Sequence, residues 1–155
     1  MVAPNTLPSD PDLRQAGFTL IEILVAVAII GIVSSIATYS LFNAFEKARQ
    51  RATMADMRGV ANAIEAYSLD SGLPPDASGN WQDLLGSLTP IYAKQLPDSD
   101  HWQNGFAYST DPSGNYTIES YGRDGIDGEN ISIGSRFDFD LDIVLANGHF
   151  IASPE

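Results

Sequence analysis

The sequence predicts an α+β fold in which a long N-terminal helix, apolar in its first half and amphipathic in its second, packs against a small antiparallel sheet. Three observations predict it. Ile23 to Phe45 is a run of 23 uncharged residues. No proline occurs from Phe18 to Leu73, so nothing there breaks a helix. Beyond residue 105, short alternating segments are separated by Asp111-Pro112-Ser113-Gly114 and by Asn147-Gly148, both turn sequences.

The apolar half comes first. As a helix rising 1.5 Å per residue, Ile23–Phe45 is roughly 34 Å long, against a hydrocarbon core of about 30 Å. It is long enough to cross a membrane. Gly31 costs about 1 kcal/mol relative to Ala in a helix, but glycine is common in membrane spans. Past Phe45 the pattern changes. Glu46, Lys47, Arg49, Gln50 and Arg51 are interleaved with alanines, and Met54, Met57, Ala61, Ile64 and Tyr67 then recur at three- and four-residue steps. That spacing is one apolar helix face. One helix is expected from about Phe18 to Leu69, on the order of 75–80 Å long. Gly72 is its expected C-terminal stop, and Pro74-Pro75 forbid continuation.

A short helix is expected over Trp81–Leu88, capped by Asn80 or Ser78, with Leu84, Leu85 and Leu88 on its apolar side. Ile91 to Leu96 then lead to Pro97. Phe106–Thr110 and Tyr116–Ser120 form one hairpin around Asp111–Gly114, with Pro at the second turn position. Asp142–Ala146 and His149–Ala152 form another around Asn147-Gly148, the strongest short hairpin signal. A small antiparallel sheet therefore covers the helix stripe.

Composition narrows the function. The 155 residues carry a formal charge of −12 and no cysteine. From Tyr92 onward 11 acids face three bases, Lys94, Arg123 and Arg136. Such a surface repels phosphate backbones, which argues against nucleic acid as a partner, and it suits a cation. With no cysteine there is no disulfide framework, a staple that small exported domains often have.

Residues 1–17 are unlike an ordinary secretory signal: Pro4, Pro8 and Pro11 break helix, and no apolar stretch precedes Gly17. A single acid, Glu22, stands at the start of the apolar span, where charge is costly, on the order of 2.5–3.5 kcal/mol at a bilayer centre. No Lys or Arg lies between Phe18 and Phe45. The one cation within its reach is an α-amine, created if the chain is cut before Phe18.

Gly17 followed by Phe18-Thr19-Leu20-Ile21-Glu22-Ile23-Leu24-Val25 resembles the type IV prepilin and pseudopilin family. The resemblance implies a pilin-like fold in three parts: a cleaved leader, residues 1–17; a transmembrane and filament-core helix, 18–45; and a soluble domain, 46–155. It implies cleavage between Gly17 and Phe18 by a prepilin peptidase, N-methylation of Phe18, and pairing of Glu22 with the Phe18 amine of a neighbouring subunit in a homo-oligomeric filament. Lys47, Arg49 and Arg51 after the span, counted alone, favour the reverse orientation. The motif outweighs them and places the N-terminus in the cytoplasm. Where many members have proline, this chain has Tyr39. Leu96-Pro97-Asp98-Ser99-Asp100-His101-Trp102-Gln103-Asn104-Gly105 resembles the family's Pro-Asp-x-Trp-Gly segment with looser spacing.

Ser120 to Glu129 hold three acids and three glycines, a loop able to turn oxygens inward. Calcium takes 6–8 oxygens at about 2.3–2.6 Å. Asp138, Asp140 and Asp142 alternate, so in an extended strand they would share a face. An EF-hand frame is not met. The Ser-x-Gly-x-Asp-Gly pattern at 120–125 and the later Asp142-Ile143 resemble the major pseudopilin of type II secretion. That implies a calcium site with Asp124, Asp140 and Asp142 as ligands and Asp127, Glu129 and Asp138 as further candidates. Asp124 and Asp142 are 18 positions apart, a longer loop than in the best-known members. His101 is read as a loop residue and His149 as a surface strand residue, and Trp81 and Trp102 as core rings.

The leading functional reading is a non-enzymatic subunit of a periplasmic pseudopilus, single-pass in the bacterial inner membrane before assembly. Its partners would be further copies of itself, minor pseudopilins and the inner-membrane assembly platform. A major or minor pilin of a surface type IV pilus is the close alternative. A membrane-anchored, metal-binding hydrolase is a distant one, because the sequence offers no His-rich ligand set, no Ser-His-Asp frame and no phosphate loop.

Overall fold

The computed structural model describes residues 17–77, 79–128 and 138–153. The chain divides into two compact units, Met1–Ser40 and Leu41–Glu155, and helix α1 (Leu20–Ser71) contributes to both. The leader residues 1–16 and the alternative cap Ser78 lie outside the described residues.

In the first unit the helix starts at Leu20, not Phe18, because Thr19 caps it. The Thr19 carbonyl accepts the Glu22 and Ile23 N–H groups at 3.1 and 3.4 Å, and its hydroxyl lies 3.3 Å from the Glu22 N–H. The stretch that follows is long and apolar enough to span a membrane, and none of it is buried within the chain. Ser35 and Thr38 return their hydroxyls to the carbonyls of Ile32 and Ser34 at 2.7 and 2.8 Å. Their polar atoms are thus satisfied inside the helix, as a hydrocarbon environment demands.

In the second unit the expected helix face is the core face. Met57, Val60, Ala61 and Ile64 are buried, with Met54 and Tyr67 packed partly against them. The helix runs two residues beyond the expected end. Gly72, at φ 86°, donates its N–H to the Ser68 carbonyl at 2.8 Å and stops it. Helix α2 (Trp81–Leu88) is capped by Asn80, whose side chain accepts the Gln82 N–H at 3.0 Å. It buries Trp81, Leu84, Leu85 and Leu88. The Trp81 ring stacks 4.9 Å from Phe106, and its indole N–H donates to the Pro97 carbonyl at 3.0 Å.

Four antiparallel strands, β1 (Phe106–Thr110), β2 (Tyr116–Ser120), β3 (Ile143–Ala146) and β4 (His149–Ala152), form one sheet in the order β1-β2-β3-β4. Phe106, Tyr108, Tyr116, Ile118, Ile143 and Leu145 complete the core. The β1–β2 turn is held by Asp111, whose carboxylate accepts the N–H groups of Ser113 and Asn115 at 2.8 and 3.0 Å. Asn147 and Gly148 have φ of 48° and 77°, the two positive values a two-residue type I′ hairpin requires. Strand β3 starts one residue later than expected, at Ile143.

Candidate functional site

Two places concentrate chemistry. The first is the head of helix α1. Phe18 is 78% exposed and Glu22 is exposed one turn on. Among the described residues nothing pairs with the Glu22 carboxylate. It stands in the first turn, where the helix dipole favours a negative charge.

The second place is the acidic loop between β2 and β3. Its support begins at Asp100, which is buried at 4% exposure. One Asp100 oxygen accepts the backbone N–H groups of Trp102 and Asn104 at 2.9 and 2.8 Å, and the other accepts the Ser120 hydroxyl at 2.8 Å. The Asn104 side-chain amide donates to the Gly122 carbonyl at 2.7 Å. Gly122 sits at φ 62°, where a Cβ would come within 2.7 Å of the Leu141 carbonyl oxygen. Glycine is therefore required where the loop leaves the sheet.

The returning arm differs from the expectation. Asp138, Asp140 and Asp142 do not alternate along a strand: residues 139–140 form a turn. The Asp140 N–H donates to the Asp138 carboxylate at 3.1 Å, and the Phe139 carbonyl accepts the Arg123 N–H at 2.8 Å. Asp140 is engaged by Arg123, whose Nε and Nη2 donate to its two oxygens at 2.7 and 2.8 Å. Asp124 accepts the Ile126 N–H at 3.1 Å. It lines a cavity of about 200 Å³ together with Asp138, Asp140 and Asp142. Glu129 lies outside the described residues.

Among the described residues Glu119, Asp127 and Asp142 come together, with one oxygen from each within 4.8 Å of the others. Two of these three belong to the expected candidates; Glu119, a β2 residue, does not. Antiparallel pairing of Glu119 with Val144 and of Ser120 with Ile143 brings it beside Asp142. Asp142 is 4% exposed; its Oδ2 accepts the Gly128 N–H at 3.0 Å, and among the described residues its Oδ1 has no partner. Burial, then the charges of Asp127 and Asp124, push the Asp142 carboxyl above its ordinary range, with the Gly128 N–H opposing them. Burial, then Asp142 and Asp127, do the same to Glu119. An orphaned buried oxygen among repelling carboxylates fits a hard cation. Oxygens that all lie within 4.8 Å of one another fall inside the span of two Ca–O bonds end to end, about 4.6–5.2 Å. Of the histidines, His149 is exposed at the head of β4, and the His101 ring lies 3.1 Å from Asp56.

Comparison with known proteins covers both places. Residues 12–38 match the prokaryotic N-terminal methylation motif, and residues 40–135 match type II secretion system (T2SS), protein G. The type II secretion system core protein G of Aeromonas hydrophila is 32% identical over 133 residues, covering 79% of this chain and 92% of its own. That of Vibrio cholerae is 32% identical over 125 residues, covering 74% and 85%. That of Escherichia coli is 32% identical over 123 residues, covering 72% and 84%.

Proposed function

The chain belongs to the type II secretion system protein G family, whose members are pseudopilus subunits, and from that premise we propose how it is processed and assembled. A prepilin peptidase cuts between Gly17 and Phe18 and methylates the new amine. Before assembly the chain crosses the inner membrane once through α1, with its N-terminus cytoplasmic and its sheet domain periplasmic. In the filament the apolar half of α1 packs against other copies, and minor pseudopilins and the inner-membrane assembly platform are its further partners. The role is structural, with no catalytic step.

The observation that carries this reading is the Glu22 carboxylate, unpaired among the described residues, at the head of an apolar stretch of which none is buried within the chain. A buried acid needs a cation, and the Phe18 amine of the next subunit supplies one after cleavage. A calcium ion at the acidic loop is part of the proposal. It would supply the positive charge that lets the loop's carboxylates approach one another, with Asp142 and its neighbours as ligands, and it would take the place of a disulfide.

Mass spectrometry of the membrane-extracted protein tests the processing. N-methylphenylalanine at Phe18 is expected. A retained Met1, or a cut elsewhere, overturns it.

A further inference from the structure

With the N-terminus cytoplasmic, Lys47, Arg49 and Arg51 stand on the side of the membrane that basic residues usually avoid. Their position is also unusual within the domain. Residues 46–155 carry 17 acids and seven bases, and four of those bases fall within 47–58. A domain of that net sign is repelled by an anionic membrane surface, and its positive charge is concentrated where α1 leaves the apolar run.

The spacing fits a membrane surface. At 1.5 Å per residue, Lys47, Arg49 and Arg51 lie about 3, 6 and 9 Å beyond Phe45 along the helix. The headgroup layer is about 5–8 Å deep on each side of the hydrocarbon, and long basic side chains lean back toward it. All three residues are exposed. Lys47 and Arg51, four apart, share one face of the helix, and Arg49 stands nearly opposite, so the charges form a collar. The one acid at this level, Glu46, is satisfied inside the chain: Arg49 lies 3.2 Å from Oε1 and the Trp102 indole N–H donates to Oε2 at 2.7 Å. That contact also holds a tryptophan, an interfacial residue in membrane proteins, at the same depth. Arg58 is different. It is about 20 Å beyond Phe45, and its guanidinium lies over the Phe150 ring, 5.1 Å from the centroid.

We propose that Lys47, Arg49 and Arg51 bind the headgroup phosphates of anionic phospholipids and hold the acidic domain at the membrane surface before assembly. Arg58 takes no part. This rests on reading the apolar half of α1 as membrane-embedded, and the experiment separates the two.

Native mass spectrometry of the full-length chain in detergent micelles, titrated with phosphatidylglycerol or phosphatidylcholine of matched acyl chains, counts bound lipid. Far-UV circular dichroism confirms that each variant keeps its helix. Wild type binds phosphatidylglycerol about tenfold or more tighter than phosphatidylcholine. Replacing all three residues by Gln removes the preference. Lys47→Gln with Arg51→Gln, which leaves the Arg49–Glu46 contact whole, reduces it by about threefold or more. Arg58→Gln leaves it within about twofold. Inorganic phosphate at the same concentration does not displace the lipid, because the acyl chains lie on the apolar half of α1.

Equal binding of the two lipids by wild type overturns the collar and leaves the membrane reading standing. A preference that survives the triple substitution overturns the assignment. A loss in Arg58→Gln as large as in the triple variant also overturns it, because the charge then acts along a whole helix face, as contact with another protein would require. Displacement by inorganic phosphate overturns the lipid as the ligand. A chain that stays soluble without detergent overturns the membrane reading and the collar with it.

Discussion

The Trp102 indole N–H donates to the Glu46 carboxylate across 2.7 Å, tying the 98–105 loop to helix α1. Arg49 holds the other Glu46 oxygen at 3.2 Å. The tethered loop is the one that carries Asp100 and Asn104, so its position is passed on to Ser120 and Gly122 and from there to the acidic loop.

Glu46→Ala should therefore destabilise the domain by about 1.5–3 kcal/mol, the range for a hydrogen bond to a charged group. Thermal unfolding measures the loss. Tryptophan emission should shift to the red as the Trp102 indole gains water. Unchanged emission and stability would show that the tether holds nothing.

Two glycines should respond oppositely to alanine. At Gly122 an added Cβ meets backbone, 2.7 Å from the Leu141 oxygen and 2.9 Å from the Phe139 oxygen, at φ 62°. Gly122→Ala should cost at least about 1–2 kcal/mol from conformation alone. At Gly59, an exposed position in helix α1, an added Cβ meets nothing. Gly59→Ala should stabilise by about 0.5–1 kcal/mol. Paired melting curves check both signs.

Tyr116 makes alkaline pH informative. Burial first, then the Glu65 charge and the contact of the phenol with Glu65 Oε1 at 3.3 Å, push its ionisation above the usual tyrosine value of about 10. The folded-state pKa is the higher one, so the protonated phenol's stabilisation is complete below about pH 10 and is lost as pH rises through the folded value. Tyr116→Phe should flatten that alkaline decline. Absorbance of tyrosinate near 295 nm, wild type minus variant, should show Tyr116 ionising well above pH 10. A difference signal at ordinary tyrosine pH would refute the burial argument.

Glu22→Ala should still insert in the membrane, yet assemble poorly. Removing one partner of a buried ion pair costs about 3–5 kcal/mol, because the other charge is left unmatched. Filament yield at equal expression is the measurement, and wild-type yield from the variant would remove the pairing with the Phe18 amine.

The local features of the fold were legible because each is a property of neighbouring residues. Met57, Ala61 and Ile64 mark a helix face, Asn80 a cap, Gly72 a stop and Asn147-Gly148 a hairpin, and the structure has all four. The Ser120-to-Gly125 string and Asp142-Ile143 pointed to type II secretion rather than to a surface pilus, and the comparisons agree. The arrangement of the acids was less legible. Alternation of Asp138, Asp140 and Asp142 suggested a strand, but Arg123 reaches Phe139 and Asp140 from across the loop and the chain turns there. Glu119 lay outside the Gly-Asp string altogether. The signal that finds it is register: once Ser120 is paired with Ile143, the residues flanking them on the two strands, Glu119 and Asp142, become neighbours.

The strand order β1-β2-β3-β4 repeats the order along the chain. Each strand pairs with the one just before it in the chain. Most closures are short, and the loop-entropy barrier that slows β-rich domains is correspondingly low. The long step is the acidic loop between β2 and β3. In that order β2 and β3 are covered on both sides by strands adjacent in the chain, which leaves β1 and β4 as the two edges of the sheet.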